Sequence, residues 1–113
     1  MNGNDRLGVV RDAFRAYETA DRELIEGVLA ADFAFYSPPD PGIDREAYFE
    51  RCWPNAQNLA LFQFVRLAEV GEEVLVTYEA ERADGSRFRN TEIFGFAGER
   101  IGKVEVYFGW DLK

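Results

Sequence analysis

Two polar residues interrupt an otherwise apolar strand face, and they are the first place to look for chemistry. Over residues 86–96 the alternation puts Phe88, Asn90, Glu92, Phe94 and Phe96 on one side, with Arg87, Arg89, Thr91 and Ile93 on the other. The Phe-rich side is the one expected to face a core. A carboxyl there loses hydration, which penalises its charged form and raises its pKa. A neutral Glu92 could donate a hydrogen bond to a developing oxyanion. An ionised one could remove a proton. The structural alternative is a pairing of Glu92 with a buried Arg or Tyr, and Arg51 is the obvious partner. Asn90 could orient a water or a ligand carbonyl, or satisfy nearby backbone groups. Asp40, among Pro38, Pro39, Pro41 and Gly42, offers a further carboxylate near a pocket mouth, or simply forms a turn.

The composition narrows the chemistry. The chain has no histidine and one cysteine, Cys52. A Ser-His-Asp or Cys-His apparatus is excluded, and zinc and copper sites lose their usual nitrogen ligand. No metal or other cofactor is expected, so acid-base work falls to Asp, Glu, Tyr, Lys or Cys. A buried thiol in apolar surroundings is inert as a nucleophile, and no internal disulfide is possible. Twenty-one acids against 13 bases give a net charge of −8. That field repels nucleic acid and anionic membranes, so neither is an expected partner. No apolar run is long enough to span a bilayer, and the polar start leads straight into an amphipathic segment. A cytoplasmic protein is expected. The 113 residues, 47% hydrophobic, suit one domain over 1–113.

The elements that must position these residues follow from periodicity. Leu7, Val10, Phe14 and Tyr17 form the stripe of a helix over about 4–20. Asp21 caps a second helix with Leu24, Ile25, Val28 and Leu29 on one side. A short aromatic strand follows at 32–36, broken by the prolines. Asp44 caps a third helix, with Ile43 and Tyr48 at hydrophobic-staple spacing. That helix buries Tyr48, Phe49, Cys52 and Trp53 and ends at Pro54-Asn55. Four strand-like runs complete the chain at about 58–69, 72–82, 86–96 and 100–109. Turn-rich breaks such as Asp84-Gly85 predict antiparallel neighbours. In the last run Val104, Val106, Phe108 and Trp110 share a face, opposite Lys103, Glu105 and Tyr107. The fold class is α+β, with three helices closing one face of a curved, mostly antiparallel sheet around an apolar pocket. The expected lining comes from the helices (Phe14, Tyr17, Tyr48, Cys52, Trp53) and the first strand (Phe35, Ser37). Phe64, Tyr78, Phe94, Val106, Phe108 and Trp110 add to it from the later strands. Arg87 and Arg89 are expected on the outer face.

The run from Tyr17-Glu18-Thr19-Ala20-Asp21 through Leu29-Ala30-Ala31-Asp32-Phe33 to Phe35-Tyr36-Ser37-Pro38 is distinctive. So are Thr91-Glu92-Ile93-Phe94, Arg100-Ile101 and Val104-Glu105-Val106-Tyr107-Phe108-Gly109-Trp110. Together they resemble the SnoaL-like branch of the nuclear transport factor 2-like superfamily, which includes ketosteroid isomerase, polyketide cyclases, limonene epoxide hydrolase and scytalone dehydratase. The resemblance implies a cone-shaped roll of the cystatin-like kind, often dimerised through the outer face of its sheet. It implies a small hydrophobic ligand and metal-free isomerase, cyclase, dehydratase or hydrolase chemistry. A non-catalytic small-molecule-binding or dimerisation module of the same fold is the alternative. In ketosteroid isomerase the general-base Asp precedes a Pro after the first strand, and Ser37 stands at that place. The oxyanion-stabilising Asp of the penultimate strand corresponds to Glu92, and Phe108 to a pocket aromatic. Tyr17 lies near, but not at, the position of the first-helix Tyr.

Overall fold

The computed structural model describes residues 5–112, save the side chains of Gln57 and Ala60. Helix α1 spans Arg6–Thr19. Asp5 caps it by accepting from the Gly8 amide at 2.9 Å, which satisfies an otherwise unpaired first-turn donor. The expected start near Asn4 lies outside the described residues. Val10, Ala13, Phe14 and Ala16 are buried at three- and four-residue spacing, and Ala20 ends the helix in the left-handed region at φ 53°. Helix α2 is Arg22–Val28, capped by Asp21 on the Leu24 amide at 3.1 Å.

Strand β1, Leu29–Ser37, starts three residues before its expected position. Leu29, assigned from sequence to the second helix, is extended and pairs with Ile101. The prolines turn the chain but do not end its strand character. After the turn, β2 runs Asp40–Asp44 antiparallel to β1. Pro41 is tolerated there because β2 is an edge strand, with β1 as its one neighbour in the sheet. Gly42 has φ 108°, and a Cβ at that position would lie 2.9 Å from the Tyr36 ring. Helix α3, Arg45–Arg51, is capped by Asp44 on the Ala47 amide at 2.9 Å. A 3-10 turn follows at Trp53–Asn58, where the sequence reading placed only a helix end.

Strands β3 (Leu59–Val70), β4 (Glu73–Arg82), β5 (Arg87–Ala97) and β6 (Arg100–Leu112) form the expected antiparallel meander. Gly85 supplies the positive φ, 89°, of the turn between β4 and β5. The sheet order is β2-β1-β6-β5-β4-β3, and β1 meets β6 in parallel. Because β1 docks on β6, Ser37 and Asp40 reach the chamber that also receives Glu92 of β5. Three helices therefore pack on a six-stranded, mostly antiparallel sheet, the α+β class expected. Phe33, Ile25, Ile101, Val10, Val74 and Val76 are the largest fully buried side chains between the layers.

One irregularity changes the reading of β6. Asn90 pairs with Phe108 but Phe88 pairs with Asp111, so a bulge at Gly109-Trp110 lies opposite Arg89. An extra residue reverses the side-chain alternation beyond it. Trp110 is therefore not a continuation of the Val104, Val106 and Phe108 face. The Arg89 guanidinium lies over its ring, 5.4 Å from the centroid. Gly109 makes the bulge possible, since a Cβ there would stand 2.2 Å from the Arg89 carbonyl oxygen.

Candidate functional site

Between the helices and the sheet lies a cavity of about 250 Å³, lined by both layers. Its walls are largely aromatic and aliphatic. Phe14 of α1 is central, meeting Phe62, Phe64, Tyr78 and Phe94 edge-on at 5.0–5.9 Å between ring centroids. Such edge-to-face contacts fix ring positions as well as burying area. Tyr48 of α3 packs edge-on against Phe33 and tilted against Phe35, both from β1.

Into this chamber projects Glu92. Its Oε2 accepts a hydrogen bond from the Tyr78 hydroxyl at 2.6 Å, a contact allowed by the neighbouring registers Val76–Glu92 and Tyr78–Asn90. Glu92 is half-buried, and as a lining residue it turns its remaining surface to the cavity. Burial pushes its carboxyl up to about 7, partly opposed by the Tyr78 hydrogen bond. Among the described residues no cation bridges it. Of the partners weighed from sequence, a buried Arg or Tyr, the tyrosine is the one found; Arg51 instead approaches Oδ1 of Asp40 at 2.6 Å.

Asp40 also lines the cavity and is 8% exposed. It does more than form a turn. Its Oδ2 accepts from the Ser37 hydroxyl at 3.1 Å. Its Oδ1 is beside the Arg51 guanidinium but lacks an aligned hydrogen bond among the described residues. The chamber thus holds two carboxyls in unlike settings, one beside a phenol and one beside a guanidinium.

The tyrosines add hydroxyls. Tyr17 and Tyr48 share a short hydrogen bond between their hydroxyls, and both line the cavity. Burial raises the pKa of each, and that of Tyr78. All three are therefore neutral donors at physiological pH. Cys52 lines the wall too, with its thiol pushed up to about 11, chiefly by burial. It stays a thiol at neutral pH and is a poor nucleophile.

Most of the expected lining residues come together here: Phe14, Tyr17, Phe35, Ser37, Tyr48, Cys52, Tyr78, Phe94, Val106 and Phe108 all face the cavity. Four do not. Trp53 stands behind Tyr17, edge-on at 5.0 Å. Phe64 packs on Phe14 from the rim and is partly exposed. Trp110 is carried off by the bulge. Asn90 lies outside the wall. Its Oδ1 accepts from the Gly109 amide at 3.2 Å and its Nδ2 reaches the Tyr78 hydroxyl at 3.5 Å. It therefore secures the bulge and steadies Tyr78, which is the backbone-satisfying role weighed from sequence. Phe33 and Phe62 line the chamber without having been singled out. Phe33 shares the alternation of Phe35, so the strand pattern held that signal. Phe62 follows a register shift between Leu59 and Leu61, which pattern reading does not show.

Neither a family model nor a curated protein matches the sequence. Solved structures do match. A nuclear transport factor 2-like protein of unknown function from Cytophaga hutchinsonii superposes with a TM-score of 0.75 at 19% identity, covering 92% of this chain and 89% of its own. A candidate ketosteroid isomerase from Kribbella flavida gives 0.79 at 15% identity, covering 96% and 80%. An epoxide hydrolase from M. tuberculosis, of the type abbreviated LEH, gives 0.77 at 16% identity, covering 92% and 82%. At these identities the likeness concerns architecture alone. The chain has the nuclear transport factor 2-like fold.

Proposed function

We propose that this chamber binds a small hydrophobic molecule and that Glu92 moves a proton on it. One observation carries the reading: a carboxyl without a bridging cation among the described residues, facing an apolar cavity and held near neutrality by burial. A group that titrates close to the working pH supplies both the acid and the base form. Protonated, Glu92 hydrogen-bonds to a carbonyl or epoxide oxygen as negative charge grows there. Ionised, and steadied by the Tyr78 hydroxyl donating to it at 2.6 Å, it takes a proton from an acidic carbon, which leaves Glu92 neutral and the negative charge on the substrate. The neutral Tyr17–Tyr48 pair offers a second donor to a substrate oxygen. Asp40 is the second carboxylate of the reaction, and Asn90 is a positioning residue acting through Tyr78. The likeness to structures named for isomerisation and epoxide hydrolysis favours the same class of substrate.

The test is turnover by the purified protein of three probes: a β,γ-unsaturated ketone, a terpene epoxide and a β-keto ester, each followed by NMR. One probe is consumed by the wild type, and Glu92→Gln slows that reaction by roughly 10²–10⁴-fold with an unchanged circular dichroism spectrum. Full activity in Glu92→Gln refutes the role. A second reading, a non-catalytic binding protein, draws on Ser37 standing where the related isomerases carry a base and on Asp40 being held beside Arg51. It gains if all three probes bind without product while Glu92→Ala alters affinity.

A further inference from the structure

The chamber is small for the ligand class proposed above. An apolar cavity of about 150 Å³ accepts a benzene-sized molecule, and pockets for drug-sized ligands run from about 300 to 1,000 Å³. At about 250 Å³ the chamber has room for a compact ring system and little more. Asn55, Leu59 and Phe108 line both the chamber and a second depression of about 790 Å³ at the end of the sheet. The two spaces therefore adjoin at these side chains.

The second depression has a different chemistry. Aromatic surface comes from Phe88 and from Phe108, which is 58% exposed. Planar polar groups come from Asn58, Asp84 and Asp111, with Arg82 as the one cation in the lining. Arg82 is already engaged: it lies over the Phe88 ring at 4.3 Å and donates to the Ser86 hydroxyl at 3.2 Å. One Arg against two Asp leaves the groove without attraction for an anion. Carboxylate and amide oxygens accept from hydroxyls, and exposed rings stack against the C–H face of a saturated polar ring.

We infer that the ligand is bipartite, with a compact apolar ring in the chamber joined to a neutral, hydroxyl-bearing group of the sugar or polyol type in the groove. The inference rests on the chamber being a ligand site, as proposed above, and adds the second half of the molecule. It makes Asn58 and Asp111 specificity residues that contact the distal group and never the reacting one.

The test uses calorimetric titration of the intact protein with 2-naphthol, 2-naphthyl β-glucoside and 2-naphthyl phosphate. The glucoside binds about tenfold tighter than naphthol, the yield of one or two added hydrogen bonds, and the phosphate binds no tighter than naphthol. Asn58→Ala combined with Asp111→Ala removes the advantage of the glucoside and leaves naphthol affinity unchanged. Both residues are exposed, and the naphthol titration itself reports that the double variant is folded. Naphthol binding without a gain for the glucoside overturns the groove and spares the chamber. A gain that survives the double variant, or a phosphate that outbinds the glucoside, also overturns it. Failure of naphthol to bind overturns the chamber as a ligand site, and this inference with it.

Discussion

Glu79 and Glu92 sit on adjacent strands of one sheet and behave in opposite ways. Glu79, on β4, meets two guanidinium groups, Arg87 at 3.0 Å and Arg89 at 2.5 Å. The Arg89 hydrogen bond holds its carboxyl below the usual carboxylate range. Its side chain is 17% exposed beside those arginines. Glu92, on β5, meets a phenol and an empty apolar space, and its carboxyl is raised to about 7. The residue type is the same and the strands are neighbours. The face decides: outward, a carboxylate finds mobile cations and solvent, while inward it finds rings that cannot solvate charge. Two carboxyl settings are thus built on adjacent strands, and only the inward one is suited to giving and taking a proton at neutral pH.

The largest expected effect that separates the two faces is on stability against pH. A folded-state pKa near 7 against an ordinary 4.5 means the native state binds more protons between those values. Stability from Glu92 is then fully present below about 4.5 and is lost as pH rises through 7, by about 3 kcal/mol at most. Glu79 has the opposite sign: its contribution is present above the ordinary carboxylate range and disappears as pH falls through its depressed value. Urea melts across this range should show the decline from pH 4.5 to 7 in the wild type and its absence in Glu92→Gln. An unchanged slope in the variant would assign the decline to another group.

A smaller effect sharpens the role of the phenol. Tyr78→Phe removes the hydrogen bond that favours ionised Glu92. The carboxyl should titrate roughly one to two pH units higher, read from its ¹³C shift in Glu-labelled protein. No movement would mean that the Tyr78 hydroxyl does not bond to the carboxylate in solution. The smallest effect belongs to the outer face. Glu79→Gln should lower the melting temperature only slightly, and the difference should shrink as salt is raised, because an outward ion pair is screened. A loss that ignored salt would place Glu79 in a drier setting than the one described.

Much of the architecture was legible because it rests on short-range rules. Asp21 and Asp44 cap their helices as their spacing to the next apolar stripe indicated. The turn at Asp84-Gly85 and the alternation of β5 put Glu92 on the inner face without reference to any other element. Strand β2 escaped notice because prolines read as an end, and only its place at the sheet edge makes Pro41 admissible. Trp110 was misread for a related reason. A strict period of two holds only until an extra residue enters, and the need for Gly109 opposite Arg89 emerges once β5 and β6 are side by side.

The sequence by itself determined the kinds of groups available and the faces they take: an acidic chain without histidine, aromatic walls, and one glutamate turned inward among them. Periodicity and capping act over a few residues, so they survive translation from sequence to structure. Partner choice does not. That Glu92 meets Tyr78 while Arg51 goes to Asp40 depends on strand registers and on how α3 sits against β1 and β2, all set by contacts distant in sequence. Tertiary structure alone left the inward carboxyl without a cation beside it among the described residues, and burial without a counter-charge is what raises its proton affinity.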